Sequence, residues 1–188
     1  VLPVPNRTVL APATTSELCS MLEWTMTQTH PCVIRYPRYL ETKSECSTEP
    51  IFIPGKWQTV RNGDDITLVA SGTAVMTAVK AAEILDTHGI STKVVNASCI
   101  RPVDAEFFSK QSKPWFTVEE HMLTGGMGAY FTSLAIQKQW KTPSGCFGIG
   151  EMFLQHGEHN MLMKDAGQTP EQICDHIVEI LKRENGYA

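Results

Sequence analysis

Two glutamates and a histidine stand directly before three glycines in "VEEHMLTGGMGAYF", residues 118–131: Glu119, Glu120 and His121, then Gly125, Gly126 and Gly128. A glycine-rich turn that opens a helix can present backbone N–H groups to a phosphate. The spacing here is not G-x-G-x-x-G, and no Lys-Ser/Thr pair of a P-loop follows. The acidic residues just ahead would also repel a phosphate. Local chemistry therefore favours the plainer reading, close packing of a strand, a turn and a helix.

A second candidate is "RYPR", with Arg35 and Arg38 around Tyr36 and Pro37 at the end of a β-type run. Strand alternation sends positions 35 and 37 one way and 36 and 38 the other, so the two arginines need not share a role. Arg38 would project from a strand's C-terminal end, where it could pair with a phosphate or carboxylate, or simply form a surface ion pair. His156 and His159 in "QHGEHN" have metal-like spacing, but Gly157 interrupts a helix there and no third ligand is evident, so no metal site is expected. Asp104 in "RPVD" reads as a helix cap. The Met-rich "EHNMLMKD" reads as core or interface packing. No Ser-His-Asp or Cys-His constellation can be assembled, so no residue is assigned a catalytic role.

The elements that must hold these residues follow from periodicity. "TVLAP" (8–12) is a short strand. "TTSELCSMLEWTMTQT" is a helix with a Ser/Thr cap before Glu17 and an apolar face of Leu18, Met21, Leu22 and Met26. "CVIRY" (32–36) closes a β-α-β unit, which implies parallel strands. Two strands and one helix cannot bury themselves, so an earlier part of that domain is expected upstream. Residues 39–65 turn polar, carrying Pro, Ser, Thr and charges, and read as a crossing linker with one edge strand, with a boundary near 60.

Beyond it the patterns alternate. Strands are expected at 66–72, 91–98 and 114–120 and at "CFGIG". Helices are expected from Thr73 to a stop at Gly89, at "AEFFSKQS", after the glycine turn, and from Thr169 and Pro170 onward. This is the signature of an open α/β sheet covered on both faces.

Composition sets the outer limits. At 188 residues, 42% hydrophobic and 19% charged, the chain is long enough and apolar enough for a real core. A net charge of -4 without a basic stripe argues against nucleic acid. No apolar run is long enough to span a bilayer, and no signal peptide pattern opens the chain, so a cytoplasmic protein is expected. The six cysteines lack any C-x-x-C pair and several lie in apolar runs, which points to reduced, structural thiols.

Seven stretches taken in order, "RTVLAPATTSEL", "PCVIRYPR", "GDDITLVASG", "AAEIL", "VVNASCIRPVD", "FTVEEHMLTGGMGAYF" and "MFLQHG", resemble the C-terminal third of transketolase-type thiamine enzymes. The resemblance is closest to the 1-deoxy-D-xylulose-5-phosphate synthase family. It implies that residues 1–38 are the β-α-β tail of a pyrimidine-binding domain and residues 39–60 a linker. Residues 61–188 would be a transketolase C-terminal domain, a three-layer α/β/α fold with a mostly parallel five-stranded sheet. It further implies that Arg38 helps bind the substrate phosphate, and that Glu119, Gly125, Gly126 and Gly128 serve packing and the dimer interface. Two departures stand out: Tyr39 replaces the glycine usual after that arginine, and Gln155 the proline usual before "HG".

The reaction implied is ketol transfer from pyruvate to glyceraldehyde 3-phosphate with release of carbon dioxide. The thiamine diphosphate and its Mg2+ would be bound by upstream domains, and this chain alone would be inactive. Its partners would be those upstream domains, and a second copy in a homodimer or other self-association; nucleic acid and membrane are not among them. Two other readings stay open: a subunit of a split transketolase-like enzyme, and an α/β interaction domain without chemistry.

Overall fold

The computed structural model describes residue 2, residues 4–37 and residues 52–184. Among them, two sheets form. Strands β1 (Thr8–Leu10) and β2 (Cys32–Ile34) are joined by helix α1 (Thr15–Met26) and pair in parallel, Leu10 opposite Ile34. The second sheet holds β3 (Gln58–Arg61), β4 (Ile66–Ala70), β5 (Thr92–Asn96), β7 (Trp115–Met122) and β8 (Gly145–Ile149) in the order β3-β5-β4-β7-β8. Every neighbouring pair in it is parallel except β3 with β5. The antiparallel edge strand β3 comes from the stretch read as a linker with one edge strand.

Parallel strands need crossover helices, and these cover both faces. Strand alternation sends Leu68 and Ala70 to one face and Val69 to the other. On the first face, α2 (Ala74–Thr87) and α6 (Pro170–Glu184) supply Ala78, Ala81, Leu85, Ile173 and Ile177, all buried against Val94, Phe116 and Val118. On the second, α3 (Ala105–Lys110) and α4 (Met127–Lys138) bring Phe108, Phe131 and Ala135 onto Val69 and Trp115. Asp104 caps α3, accepting the N–H groups of Glu106 and Phe107 at 3.1 Å each. The result is the three-layer α/β/α arrangement with a mostly parallel five-stranded sheet.

Three local features depart from the pattern reading. Cys99–Arg101, beyond the strand expected at 91–98, forms strand β6, which runs antiparallel to β1 and makes the small sheet three-stranded, β2-β1-β6. The segment His159–Asp165, read as core or interface packing, is a short helix, α5, with no buried residue, so it is not core packing. On α1, Glu17 and Met21 are buried, but Leu22 is 48% and Met26 86% exposed. Met21 packs on Leu10 and Cys99 of the small sheet with Trp24 partly buried against them, and Leu22, one step further round than Met21, turns about 100° away.

Candidate functional site

The strand β7 runs to Met122, two residues further than its pattern shows, so Glu119, Glu120 and His121 lie on the strand itself. Glu119 is 2% exposed, and its carboxylate faces the first turn of α4. Its Oε2 accepts the N–H of Met127 at 2.7 Å, and its Oε1 accepts the N–H of Gly128 at 2.8 Å. The helix has no capping side chain of its own, because Gly126 occupies the N-cap position. Glu119 therefore supplies the cap from the neighbouring strand, a negative charge at the positive end of the helix dipole. Burial pushes its carboxyl above the ordinary 4.5. The N–H groups of Gly128 and Met127, and the charges of His121 and Arg35, act against that rise.

The glycines follow from this arrangement. Gly125 sits at φ +77°, a left-handed turn that side chains avoid. A Cβ on Gly126 would lie 2.6 Å from Glu119 Oε2. A Cβ on Gly128 would lie 2.5 Å from Thr117 Oγ1 and 2.9 Å from Cys146 Sγ. The position a phosphate would take at this helix end is filled by the chain's own carboxylate.

Around the same strand end, Glu120 contributes its backbone and side chain separately. Its carbonyl accepts a hydrogen bond from the Arg35 guanidinium, which reaches across from the exit of β2. Its carboxylate meets His159 Nε2 at 3.0 Å, so His159 turns to a carboxylate. Among the described residues, no group of three or more His, Cys, Asp or Glu side chains could hold a metal ion. Arg38, Tyr39 and Cys46 lie outside the described residues. The described cysteines are free thiols; Cys99 is buried, and burial pushes it up to about 11.

A second buried carboxylate joins the two sheets. Glu17, the third residue of α1, accepts the N–H of Ala13 on Oε2 at 2.7 Å and the Asn96 side-chain amide on Oε1 at 2.8 Å. Thr14 Oγ1 accepts the Glu17 N–H at 3.1 Å, a variant of the capping box. Burial pushes this carboxyl up as well, opposed by hydrogen bonds from Ala13, Ser98, Asn96 and Thr14. The cap role was legible locally. The reach to Asn96, at the C-terminal end of β5, was not, and the signal for it was an asparagine directly after the two valines of "KVVN".

These strand ends are where an open α/β sheet ordinarily takes its ligand. Here the loop before α1 lies over them: Ala11 N–H donates to Ser98 O at 2.8 Å, and Pro12 O is 3.7 Å from the Cβ position of Gly72. With Glu119 already on the helix end, the described residues fit neither a diphosphate nor its Mg2+, and no chemical step is assigned to them.

Residues 55–173 match the family described as transketolase, C-terminal domain. The 1-deoxy-D-xylulose-5-phosphate synthase of Pelotomaculum thermopropionicum is 36% identical over 182 residues, covering 94% of this chain and 29% of that protein. The enzyme of the same name from Desulforudis audaxviator is 34% identical over 91% of this chain and 28% of its own length. The chain thus spans less than a third of the length of these relatives. A structure described as a split gene transketolase, inactive beta4 tetramer, superposes with a TM-score of 0.81 at 25% identity, over 95% of this chain and 58% of the other. A transketolase from Pichia stipitis in complex with sedoheptulose 7-phosphate gives 0.73 at 25% identity, over 97% and 26%. The chain belongs to the transketolase C-terminal domain family.

Proposed function

We propose that this chain is the C-terminal part of a thiamine diphosphate-dependent 1-deoxy-D-xylulose-5-phosphate synthase acting in the cytoplasm. The observation that carries the reading is the 36% identity to one such enzyme over 94% of the chain. Residues 1–38 would complete a pyrimidine-binding domain, 39–60 would cross to the C-terminal domain, and 61–188 would form it. In the assembled enzyme, thiamine diphosphate with Mg2+ supplies the ketol-transfer chemistry and is held by upstream domains. This chain supplies Arg38 to the phosphate of glyceraldehyde 3-phosphate, and a rigid wall built on the Glu119-capped helix. Glu119 and the three glycines shape that wall and its dimer interface. The chain alone is inactive.

A second reading is a subunit of a split transketolase-like enzyme, favoured by the 0.81 TM-score to the split gene transketolase. Intact mass and N-terminal sequencing of the native protein, with assay of synthase product from pyruvate and glyceraldehyde 3-phosphate, separates the two. A native chain about three times this length that forms the product supports the synthase. A native chain starting near Val1 and active only with a thiamine-binding partner overturns it in favour of the split enzyme.

A further inference from the structure

The turn between the edge strand β3 and β4 reads Asn62-Gly63-Asp64-Asp65. Its far side is pinned. Asp64 N–H donates to Ser91 Oγ at 3.1 Å, Asp65 N–H donates to Ser91 O at 2.8 Å, and the Asp65 carboxylate accepts the Ser91 N–H at 2.7 Å. The near side is pinned by Arg61, whose guanidinium donates to Thr92 O at 2.6 Å and pairs with Asp86. Between these ties Asn62 is exposed. Among the described residues, neither its side-chain amide nor the Gly63 N–H has a hydrogen-bond partner within the protein.

An asparagine followed by glycine is placed to react with its own backbone. The Gly63 nitrogen lies one bond beyond the Asn62 carbonyl carbon, so joining it to the Asn62 Cγ closes a five-membered ring. Glycine has no Cβ to block that approach. Ring closure forms the bond from Gly63 N to Cγ and breaks the bond from Cγ to the side-chain nitrogen. That nitrogen leaves as ammonia, carrying the proton that Gly63 N gave up. Water then opens the ring at either carbonyl. One opening leaves an ordinary aspartate linkage. The other runs the main chain through Cγ as isoaspartate, with an extra methylene in the backbone.

Ring closure needs the backbone at Asn62 to turn, and the edge position of β3 allows it. Among the described residues β3 has one neighbouring strand, β5, and none of its own residues is buried, so its end can lift without opening the core. Return is harder. Gly63 passes so close to the next strand that a Cβ on it would lie 2.1 Å from the Thr92 carbonyl carbon and 2.4 Å from Lys93 N. A longer backbone has no room there. The new carboxylate would also stand beside Asp64 and Asp65.

We propose that Asn62-Gly63 is a self-modification site, whose spontaneous deamidation to isoaspartate unlatches β3 from β5 and opens the edge of the five-stranded sheet. The reaction needs only water and releases only ammonia.

The test is to age the native protein in warm, mildly alkaline buffer and follow its asparagines by peptide mapping. These 188 residues carry one other Asn-Gly pair, Asn185-Gly186, which lies outside the described residues and serves as an internal reference. Position 62 is expected to convert, and faster at higher pH because Gly63 N must lose its proton. Isoaspartate is expected alongside aspartate. The converted protein gains one negative charge, which ion exchange reads, and loses hydrogen-exchange protection at the β3 amides. Asn62→Gln, whose longer side chain would need a larger ring, keeps its charge and that protection. Asn62→Asp supplies the charge without the extra methylene and leaves β3 protected.

Conversion at Asn185 with Asn62 intact overturns the proposal, by showing that the folded turn shields the amide. Retention of both amides overturns it as well. If position 62 converts while β3 keeps its protection, the modification stands but the unlatching is overturned. Equal loss of protection in Asn62→Asp overturns the role of the lengthened backbone, because charge alone would then open the edge.

Discussion

Glu119 Oε1 accepts the backbone N–H of Gly128 at 2.8 Å, while the other carboxylate oxygen takes the N–H of Met127. A strand residue thereby caps a helix that begins eight positions later. The carboxylate and the glycine depend on each other: the helix end approaches so closely because position 128 has no side chain, and its N–H groups stay satisfied because a buried acid reaches them.

Glu119→Ala should destabilise the chain by about 3 kcal/mol, since two buried N–H groups lose their acceptor. Glu119→Gln keeps one acceptor oxygen and should lose roughly half as much. Urea denaturation of the 188-residue chain measures both. Equal stability of the alanine variant and the parent would show that the cap is unimportant.

Gly128→Ala should cost about 1–3 kcal/mol by overpacking. The new methyl would lie 2.5 Å from Thr117 Oγ1, an atom that is buried and without a hydrogen-bond partner among the described residues. Removing that oxygen in Thr117→Ala should recover part of the loss, leaving only the crowding against Cys146. Thermal melts of the two single variants and the double variant decide it; strictly additive losses would place the strain elsewhere.

The same pairing shows what the amino-acid pattern could reveal. The parallel part of the five-stranded sheet was legible because β4, β5, β7 and β8 each carry a local apolar run and α2 carries its own stop, Gly89 at φ +74°, whereas the edge strand β3, QTVR, is not such a run. The acidic residues ahead of the glycines already argued against a phosphate there. That Glu119, rather than Glu120, turns inward depends on which face of β7 meets α4, which no local period reveals. Strand β6 is three residues long, and its partner β1 lies near the start of the chain, so only tertiary pairing makes it a strand. The apolar period of α1 likewise marks Leu22 and Met26 as inward, but it cannot say how wide a surface the helix will meet. The pairing of Arg35 with the Glu120 carbonyl involves a backbone atom, and a carbonyl leaves no trace in residue identity.

Glu17 gives a pH prediction of definite sign. Its folded carboxyl lies above the ordinary value of 4.5 because burial dominates its hydrogen bonds. The folded state therefore binds this proton more tightly than the unfolded chain does. The stability from that proton is present in acid and is lost as pH rises from 4.5 through the folded value. Glu17→Gln removes the titration, so the variant should gain on the parent across that window and be at least as stable at neutral pH. The amide can also offer a donor to Asn96 Oδ1, which is buried and has no partner among the described residues. Glu17→Ala should instead lose about 1–3 kcal/mol for each donor left without an acceptor. Denaturation midpoints from pH 4.5 to 8 check both. A constant gap between parent and Gln variant would mean that Glu17 does not titrate there.

Trp57 ties the stretch ahead of β3 to the second face of the sheet. Its ring lies 5.0 Å from Phe107 and 5.1 Å from Phe131 between centroids, and its Nε1 donates to Cys99 O at 2.8 Å. Trp57→Ala should cost about 3 kcal/mol, the low end for a large aromatic because the side chain is only half-buried. Trp57→Phe keeps most of the packing and should lose about 1 kcal/mol for the missing donor. Hydrogen exchange should show the difference at β6, whose carbonyl the indole holds.

Leu22 and Met26 stand one turn apart on α1, both exposed, on a helix whose sheet ends at β2 among the described residues. The reading of this unit as the tail of a larger domain makes this face the one that domain would cover. The purified 188-residue chain should therefore self-associate through it as concentration rises. Leu22→Lys together with Met26→Lys should lower the weight-average mass in sedimentation equilibrium. Stability should change by no more than about 0.5 kcal/mol per substitution, since both sites face solvent. Association that persists unchanged in the double variant would locate the contact on another face and weaken the case that α1 is built to be covered.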